Sequence, residues 1–318
     1  MSPEVSQSWS HRLAWLMAVL ALLPITVGAV VTTVEAGMAF ADWPTSDGVG
    51  LLAYPWLKSS GDKFLEHGHR LAGMLIGIVS LIFTGWAFAA DHRPLVRRLA
   101  VAVLLGVIAQ GIIGGIRVRQ NDDIWALVHG HTAAWVFTAM CVTVLATGKR
   151  GGDLSDAVRP RTGLLIAAGA SFCSVFVQVL LGGQLRHLGS SHAWLVHPWF
   201  AIAVVASVLA VHYLAGRQDL PRIQTSAQIA LWLVLGQAAL GLLTWGAKFG
   251  YPEWEILAVR QSPAQIALST LHQVVGLLTF AAIGVNFLQV LVACRRPREI
   301  KDTNPIGALL TASTGGAA

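Results

Sequence analysis

Four histidines at matching positions of long apolar stretches are the side chains best suited to chemistry in this 318-residue chain. They are His69, His129, His197 and His272. Each is followed four residues later by a glycine or an alanine, which on a helix leaves a gap beside the imidazole on the same face. Polar side chains inside a membrane span are costly and usually functional, and imidazole is a common axial ligand of haem iron. Because all four recur at one depth, they favour two iron-binding pairs over four unrelated structural histidines.

Neighbouring histidines compete for the same role. His131 lies two residues after His129 and therefore on roughly the opposite face of a helix, and the choice of ligand in that span stays open. His67, His187 and His192 lie near the ends of spans, where we interpret them as interfacial side chains.

An acidic side chain lies one helical turn before the first of the four histidines. Glu66 precedes His69 by three residues, and this spacing places both on one helix face. A carboxylate at this position suits proton transfer or the stabilisation of positive charge on a reacting substrate. The alternatives are an ion pair with Arg70 and a solvated helix start, where the helix dipole favours negative charge.

Three arginines depart from the charge pattern of the chain because they follow spans on the outer side of the membrane. They are Arg117, Arg119 and Arg186. The planar guanidinium binds a carboxylate through two hydrogen bonds, and haem carries two propionates. These arginines are therefore candidate anchors for the edge of a haem. The alternative is that they only extend from helix ends to the polar interface.

The elements that must position these residues are membrane-spanning helices. Hydrophobic residues make up 55% of the chain and charged residues 12%, against about 25% charged in an average soluble domain. Apolar stretches of about 20 residues, each long enough to cross the hydrocarbon core, recur along the whole chain. We predict eight spans, at 12–34, 66–90, 97–117, 125–147, 161–184, 192–215, 225–247 and 266–293. Spans that are apolar on every face predict helices and argue against the alternating strands of a membrane barrel.

Basic residues are segregated on one side of this eight-span arrangement. Those residues are Arg12, Arg93, Arg97, Arg98, Lys149, Arg150, Arg159, Arg161, Arg217, Arg222, Arg295, Arg296, Arg298 and Lys301. By the positive-inside rule both termini are then cytoplasmic, and the chain is predicted to lie in a bacterial-type inner membrane. This segregation accounts for the net charge of +6, so nucleic acid is not expected as a partner. The first apolar stretch has no small-residue cleavage site and is predicted to be a retained helix.

The third, fifth and seventh spans repeat a glutamine followed four residues later by a glycine. The pairs are Gln110 with Gly114, Gln178 with Gly182 and Gln237 with Gly241, and the first span carries Gly28 without the glutamine. After each comes an outer loop and a span that opens with histidine, which indicates duplication of a helix hairpin. We predict an all-α protein of two pseudo-symmetric four-helix bundles, residues 1–150 and 151–318. The alternative explanation of the glycines is close helix packing alone.

The first outer loop, at about 35–65, is the longest loop in this arrangement. It contains Asp42-Trp43-Pro44 and Tyr54-Pro55-Trp56. Aromatic residues at this level are typical of the interfacial belt, and a loop of this length is also a candidate lid over a reactive centre.

The order of several short motifs resembles the haem A synthase family. They are Gly37-Met38-Ala39 and Asp42-Trp43-Pro44 in the first outer loop, Glu66-His67-Gly68-His69-Arg70 at the start of the second span, and His129-Gly130 at the start of the fourth. Each motif is short, and their order and spacing make the resemblance specific. It covers nearly the whole chain, including the number of spans and the histidines of the even-numbered ones.

The resemblance implies an enzyme that oxidises one ring methyl of haem O to a formyl group, giving haem A for terminal oxidases. The amino-terminal bundle would hold the substrate haem through His69 and His129, with Glu66 assisting the oxidation. The carboxy-terminal bundle would hold a permanent haem b, with its iron bound by His197 and His272, for electron transfer. The implied partners are membrane lipid, a haem O synthase and an electron acceptor.

The first outer loop departs from the family at two positions. Many members have two cysteines there, where this chain has Phe40 and Ser46 at the nearest corresponding positions. A redox role for a cysteine pair therefore cannot operate in this chain.

The main alternative function is that of a di-haem electron carrier without haem-modifying activity. Such a carrier needs the same four histidines, so their number does not separate it from the enzyme. It has no need of a carboxylate such as Glu66 one helical turn from a ligand. A transporter or scaffold fits least well, because the polar residues cluster toward the outer ends of the spans rather than at the midplane.

Overall fold

A computed structural model describes residues 2–148, 156, 158–255 and 257–295. The helices are α1 Pro3–Thr33, α2 Gly61–Ala90, α3 Pro94–Gln120, α4 Asp123–Thr147, α5 Thr162–Leu188, α6 Ser191–Gly216, α7 Pro221–Phe249 and α8 Pro263–Cys294, with short 3-10 turns at Trp56–Lys58 and Pro252–Trp254. All eight are long and apolar enough to cross a membrane, and the described residues form no β-strand. The prediction of an all-α membrane protein with eight spans is confirmed.

The first helix is the one whose predicted start was furthest from the structure, since α1 begins at Pro3 rather than near residue 12. The added segment contains Ser6 and Ser10, which ended the apolar pattern. Both serines contact the end of α2. The hydroxyl of Ser6 donates a hydrogen bond to the carbonyl of Ala90, and Nε1 of Trp86 donates to the hydroxyl of Ser10 at 3.2 Å. Tertiary hydrogen bonds therefore stabilise helix where hydropathy alone does not predict it.

The helices form two groups of four with the same order of neighbours. In the first group, α1 and α3 each pack against α2 and α4. Helix α1 also contacts α8 of the second group. In the second group, α5 and α7 each pack against α6 and α8. The groups meet through α1, α4, α5 and α8. This order is the one expected of two four-helix bundles. The boundary predicted between residues 150 and 151 lies in part outside the described residues and stays a prediction.

One apolar core is shared by the two groups. Buried side chains such as Met17, Phe137, Val175 and Phe280, from α1, α4, α5 and α8, belong to one continuous cluster. A smaller cluster around Leu220 joins the start of α7 to α5, α6 and the end of α8. The two halves therefore bury apolar surface against each other as well as within themselves.

Part of the predicted basic face lies where α2, α3 and α4 end or begin. Arg93 forms an ion pair with the buried Asp91 at 2.6 Å and donates a hydrogen bond to the carbonyl of Ala146 at 3.2 Å. Arg97 donates to the carbonyls of Ala87 and Asp91. These arginines close the helix ends on the side predicted to be cytoplasmic. Lys149, Arg150, Arg296, Arg298 and Lys301, assigned to the same face, lie outside the described residues.

The contact between α3 and α4 is close enough to exclude a side chain at Gly106. A Cβ atom there would lie 2.8 Å from Cγ2 of Val136. We expect Gly106→Leu to destabilise the protein by about 1–3 kcal/mol and to lower its thermal unfolding midpoint in detergent. Gly111→Leu is the matched control, because a Cβ atom at Gly111 on the same helix meets nothing within 4 Å. Equal midpoints for the two variants would contradict this packing.

Candidate functional site

The four histidines meet in two pairs near the starts of the even-numbered helices. His69 of α2 faces His129 of α4, with ring centroids 6.3 Å apart and ring planes at 80°. His197 of α6 faces His272 of α8, with the same centroid separation of 6.3 Å and ring planes at 86°. The structure therefore brings together, with one geometry, the residues that the sequence grouped by depth.

Each imidazole lies edge-on against a glycine of the preceding odd-numbered helix. The contacts pair Gly28 with His69, Gly114 with His129, Gly182 with His197 and Gly241 with His272. A Cβ atom at these glycines would lie 2.7, 3.3, 3.0 and 3.2 Å, respectively, from Cε1 of the ring. No side chain fits there without moving the imidazole, so each glycine forms a seat for its histidine. The sequence also predicted a gap beside each imidazole, four residues later on its own helix. That space is open at Gly73, whereas the side chain of Gln237 occupies it at Gly276.

Three glutamines connect the glycine-bearing helices to the histidine-bearing ones. Nε2 of Gln178 donates a hydrogen bond to the carbonyl of His197, and Nε2 of Gln237 donates to the carbonyl of His272, both at 3.0 Å. Gln110, in the amide orientation that satisfies all its partners, donates to the carbonyl of His129 at 3.2 Å. The repeated glutamine therefore fixes the helix turn that carries each of these histidines.

The spacing within each pair suits one metal ion between two imidazoles. Two bonds of about 2 Å from a metal to ring nitrogens, each about 1.1 Å from its centroid, place the centroids about 6.2 Å apart. The Nδ1 atoms of His69, His197 and His272 are buried and have no hydrogen-bond partner among the described residues. Buried polar atoms without partners are rare, and they are typical of a site that a bound group completes. Both pairs therefore fit a haem iron ligated from two sides.

The structure separates the two candidate ligands of α4. His129 faces His69, whereas His131 lies against α5, where a Cβ atom at Gly183 would be 2.7 Å from its Cε1. Nδ1 of His131 lies 2.9 Å from the carbonyl of Leu127, which only accepts hydrogen bonds. The geometry favours His129 over His131 as the partner of the α2 histidine.

Glu66 is buried, with 4% of its surface exposed, and its carboxylate is held on both sides. Oε1 accepts a hydrogen bond from Nη2 of Arg70 at 2.6 Å. Oε2 accepts from the backbone amides of Ala39 at 2.6 Å and Phe40 at 3.3 Å. The ion pair with Arg70, one of the alternatives left open by the sequence, is therefore present. These charge-assisted bonds fix the orientation of the carboxylate one turn from His69.

The first outer loop, at 34–60, is fastened to α3 beside the amino-terminal pair. Trp43 packs against Gly115, which adjoins the Gly114 seat of the α4 histidine. Arg117 donates a hydrogen bond to the carbonyl of Gly37. One predicted haem anchor is thus bound to the loop in this structure.

Asp42 organises the middle of this loop. Its carboxylate accepts hydrogen bonds from the hydroxyl of Thr45 at 2.6 Å and from the amides of Asp47 and Gly48. The Thr45 hydroxyl, more than the amides, holds the pKa of Asp42 below its usual value. The carbonyls of Asp42 and Thr45 both accept hydrogen bonds from Arg70. The arginine that pairs with the buried glutamate therefore also binds the loop.

The structure corrects the interfacial role that we predicted for His67, because its side chain is completely buried. Its ring is hydrogen-bonded to the hydroxyl of Ser46 and to the carbonyl of Leu51. The error arose because the loop folds back over α2, and no periodic pattern predicts that. Phe40 and Ser46, at the positions nearest the cysteines of many family members, both contact this histidine.

The other two predicted anchors differ in their surroundings. Arg186 of α5 reaches α1, where it donates hydrogen bonds to the carbonyl of Ala29 at 2.8 Å and to the hydroxyl of Thr33 at 3.0 Å. Arg119 is exposed at the end of α3. Arg186 is therefore hydrogen-bonded across the contact between the two helix groups, whereas Arg119 is exposed and could move to meet a ligand.

A cavity of about 360 Å³ lies beside Arg186, between the ends of α1, α5 and α7 and the start of α8. Arg186, Lys248 and Arg260 all line it. Arg260 forms an ion pair with Glu35 at 2.7 Å. Within the described part of the chain, Arg186 and Lys248 have no ion pair with a carboxylate. Ser269, one turn before the α8 histidine, lines the same cavity, which therefore suits anionic groups near the carboxy-terminal pair.

Lys248 is a candidate binding residue that the sequence analysis missed. It follows Gly241 by seven residues, about two helical turns, whereas Arg117 and Arg186 follow Gly114 and Gly182 by three and four residues, about one turn. A search for a cation after every repeated glycine would have found it.

Eight membrane-spanning helices with two facing pairs of histidines define a class of helical membrane protein with one candidate metal-binding pair in each half. The family model described as cytochrome oxidase assembly protein matches residues 11–194 of this chain. The chain belongs to this family, which includes the haem A synthases.

Curated relatives are named haem A synthase. The one from Symbiobacterium thermophilum is 30% identical over 182 residues, covering 54% of this chain and 57% of that protein. The one from Geobacillus kaustophilus is 28% identical over 256 residues, covering 70% of this chain and 78% of that protein. The one from Beijerinckia indica is 22% identical over 309 residues, covering 85% and 84%. The resemblance to the haem A synthase family is confirmed.

Removal of Arg70 tests how strongly the buried carboxylate depends on its partner. The side chains of Arg70 and Glu66 are 9% and 5% exposed, so Arg70→Met leaves a buried charge without its cation and should cost about 3–5 kcal/mol. Lys63→Met is the control, because the Lys63–Asp47 pair is 46% exposed on both sides, and it should cost less than about 1 kcal/mol. Thermal unfolding in detergent measures both. Equal losses of stability would show that the buried Arg70–Glu66 pair stabilises the protein no more than the exposed Lys63–Asp47 pair does.

Proposed function

We propose that this chain is a haem A synthase that oxidises a ring methyl of haem O to the formyl group of haem A. Family membership and the names of the relatives support this activity. The single observation that carries it is the asymmetry between the histidine pairs. Three residues before His69 stands the buried Glu66, whereas the same position before the other three histidines holds Ala126, Trp194 or Ser269. Reaction chemistry is therefore assigned to the amino-terminal half.

In this proposal His69 and His129 bind the substrate haem in the amino-terminal bundle. Their 6.3 Å separation and their glycine seats support a fixed position for the substrate iron. Arg117 and Arg119, at the end of α3, are the assigned anchors for its carboxylates. In the structure Arg117 binds the carbonyl of Gly37, so substrate binding and the position of the first outer loop are coupled through this side chain.

Glu66 and Arg70 act on the reacting edge of the substrate. Two loop amides and the guanidinium hold the Glu66 carboxylate in place before the reaction begins. A preorganised negative charge favours positive charge that develops on the substrate during oxidation, without reorganisation of the protein.

His197 and His272 are the assigned ligands of a permanent haem b in the carboxy-terminal bundle. When bound, haem b supplies one-electron transfer. Arg186 and Lys248, which line the cavity next to this pair, offer cations for its carboxylates. The larger core that joins both helix groups keeps the two histidine pairs at a fixed relative position.

The proposal places the chain in a bacterial-type inner membrane with both termini cytoplasmic. The segregation of basic residues in the sequence supports this orientation. Its proposed partners are lipid, a haem O synthase that supplies substrate, and an electron acceptor. The two helix groups are proposed to be the two bundles, residues 1–150 and 151–318.

The second candidate function is a di-haem electron carrier. The equal spacing of the two histidine pairs favours it, because a carrier requires two similar sites. It leaves the buried Glu66–Arg70 pair without a role.

The enzyme and the carrier are separated by Glu66→Gln in cells that also make haem O. We expect haem A to fall about 100-fold, because the charge at the reacting edge is lost, while total bound haem stays unchanged. Asp62→Asn, an exposed carboxylate in the first turn of the same helix, should leave the yield at the wild-type value. Haem extraction and chromatography measure both. A wild-type chain that binds haem and never produces haem A supports the carrier instead.

The glycine seats give a second test, which concerns ligation alone. Gly241→Val pushes on Cε1 of His272 and should remove the haem of the carboxy-terminal pair. Gly236→Val carries the same change on the same helix at a position where a Cβ atom meets nothing within 4 Å, and it should keep that haem. Haem content per purified chain is the measurement. Full haem content in Gly241→Val would overturn the assigned ligation by His272.

A further inference from the structure

His67 is a completely buried titratable side chain that the proposed reaction does not use. It lies on α2 between Glu66 and the histidine of the amino-terminal pair, but its ring contacts the first outer loop and not a pair partner. A buried polar ring is retained only where its hydrogen bonds are satisfied. Its partners therefore indicate what it does.

Both ring nitrogens of His67 are bound to the loop. Nε2 lies 3.1 Å from the carbonyl of Leu51, so it is the donor, and Nδ1 accepts from the hydroxyl of Ser46 at 2.9 Å. The ring packs against Tyr54 with centroids 4.6 Å apart and planes tilted by 35°, and it makes an edge contact with Phe40 at 6.1 Å. Four contacts at positions spread along the loop thus converge on one side chain of α2.

The same loop holds the Glu66 carboxylate. The amides of Ala39 and Phe40 donate to Oε2 of Glu66, and the ring of Phe40 rests against His67. Arg70, which donates to the other carboxylate oxygen, also binds the carbonyls of Asp42 and Thr45. The two amide donors that orient Glu66 therefore lie on a loop that His67 also binds.

We propose that His67 is a positioning residue for the oxidation, acting by clamping the first outer loop to α2 so that the loop amides orient Glu66. This inference rests on the proposed function, because it assigns the loop contact to the same reacting edge. It predicts that loss of the clamp lowers conversion of haem O without releasing haem, since the ligands of the iron stay in place. A residue that only fills the core would not act through Glu66.

The first measurement is hydrogen exchange of the full chain in lipid nanodiscs. His67→Phe keeps a ring against Tyr54 and removes both hydrogen bonds, and Ser46→Ala is the milder second variant should the first fold poorly. Both should raise exchange across 37–54, at the Ala39 and Phe40 amides as well, by about tenfold or more. His192→Phe is the control, because His192 is exposed at the start of α6. Wild-type protection of those amides in both variants would overturn the clamp.

The second measurement is conversion in cells that make haem O, with bound haem quantified in parallel. His67→Phe should lower the haem A fraction by about 10–100-fold at unchanged haem content, and His67→Gln, which keeps a donor and an acceptor, should recover part of it. In a Glu66→Gln background His67→Phe should cause no further loss, because His67 acts on the reaction only through the Glu66 carboxylate, which that background already lacks.

The outcomes separate this inference from the function on which it rests. Losses that multiply in the double variant, or wild-type conversion by His67→Phe beside a loss in Glu66→Gln, overturn the positioning role alone. Wild-type conversion by Glu66→Gln overturns the proposed role of Glu66 and the positioning role with it.

Discussion

The contact on which the structure depends is an imidazole lying against a glycine of the neighbouring helix. It occurs four times, once for each of the paired histidines. Close approach of helix backbones in a membrane needs small residues at the contact, and here the approach also sets the direction of each ring. On three of the glycine-bearing helices, a glutamine one turn before the glycine donates a hydrogen bond to the backbone carbonyl of the histidine. With rings fixed in this way, both pairs reach the same 6.3 Å separation.

The same arrangement of paired histidines and glycines occurs in both halves of the chain, but its surroundings differ. The carboxy-terminal pair lies beside a cation-lined cavity and has no acidic residue one turn before its ligands. The amino-terminal pair has the Glu66–Arg70 ion pair and a long loop that binds both of those side chains. The two histidine pairs are similar proposed iron sites, and the loop with its buried carboxylate makes the surroundings of one of them different. The proposed division between a substrate site and an electron-transfer site follows from that difference.

The sequence predicted the spans, the paired histidines and Glu66, and it missed several contacts between polar groups that are distant along the chain. The eight spans and the pairing of the histidines follow from hydropathy and depth, which are periodic properties. The choice between His129 and His131 needed the orientation of α4, and the burial of His67 needed the path of the loop. The start of α1 was missed because hydrogen bonds of Ser6 and Ser10 to α2, rather than apolar residues, hold it. Non-local contacts of polar groups leave no pattern along the chain.

The central claim is that each facing pair of histidines holds one iron between two nearly perpendicular rings. Electron paramagnetic resonance of the oxidised, haem-loaded protein tests it most directly. The account predicts strongly anisotropic low-spin ferric signals, as near-perpendicular imidazole planes produce, because the rings meet at 80° and 86°. A high-spin ferric signal from either haem in the fully loaded protein, as expected of iron with a single axial histidine, would contradict it.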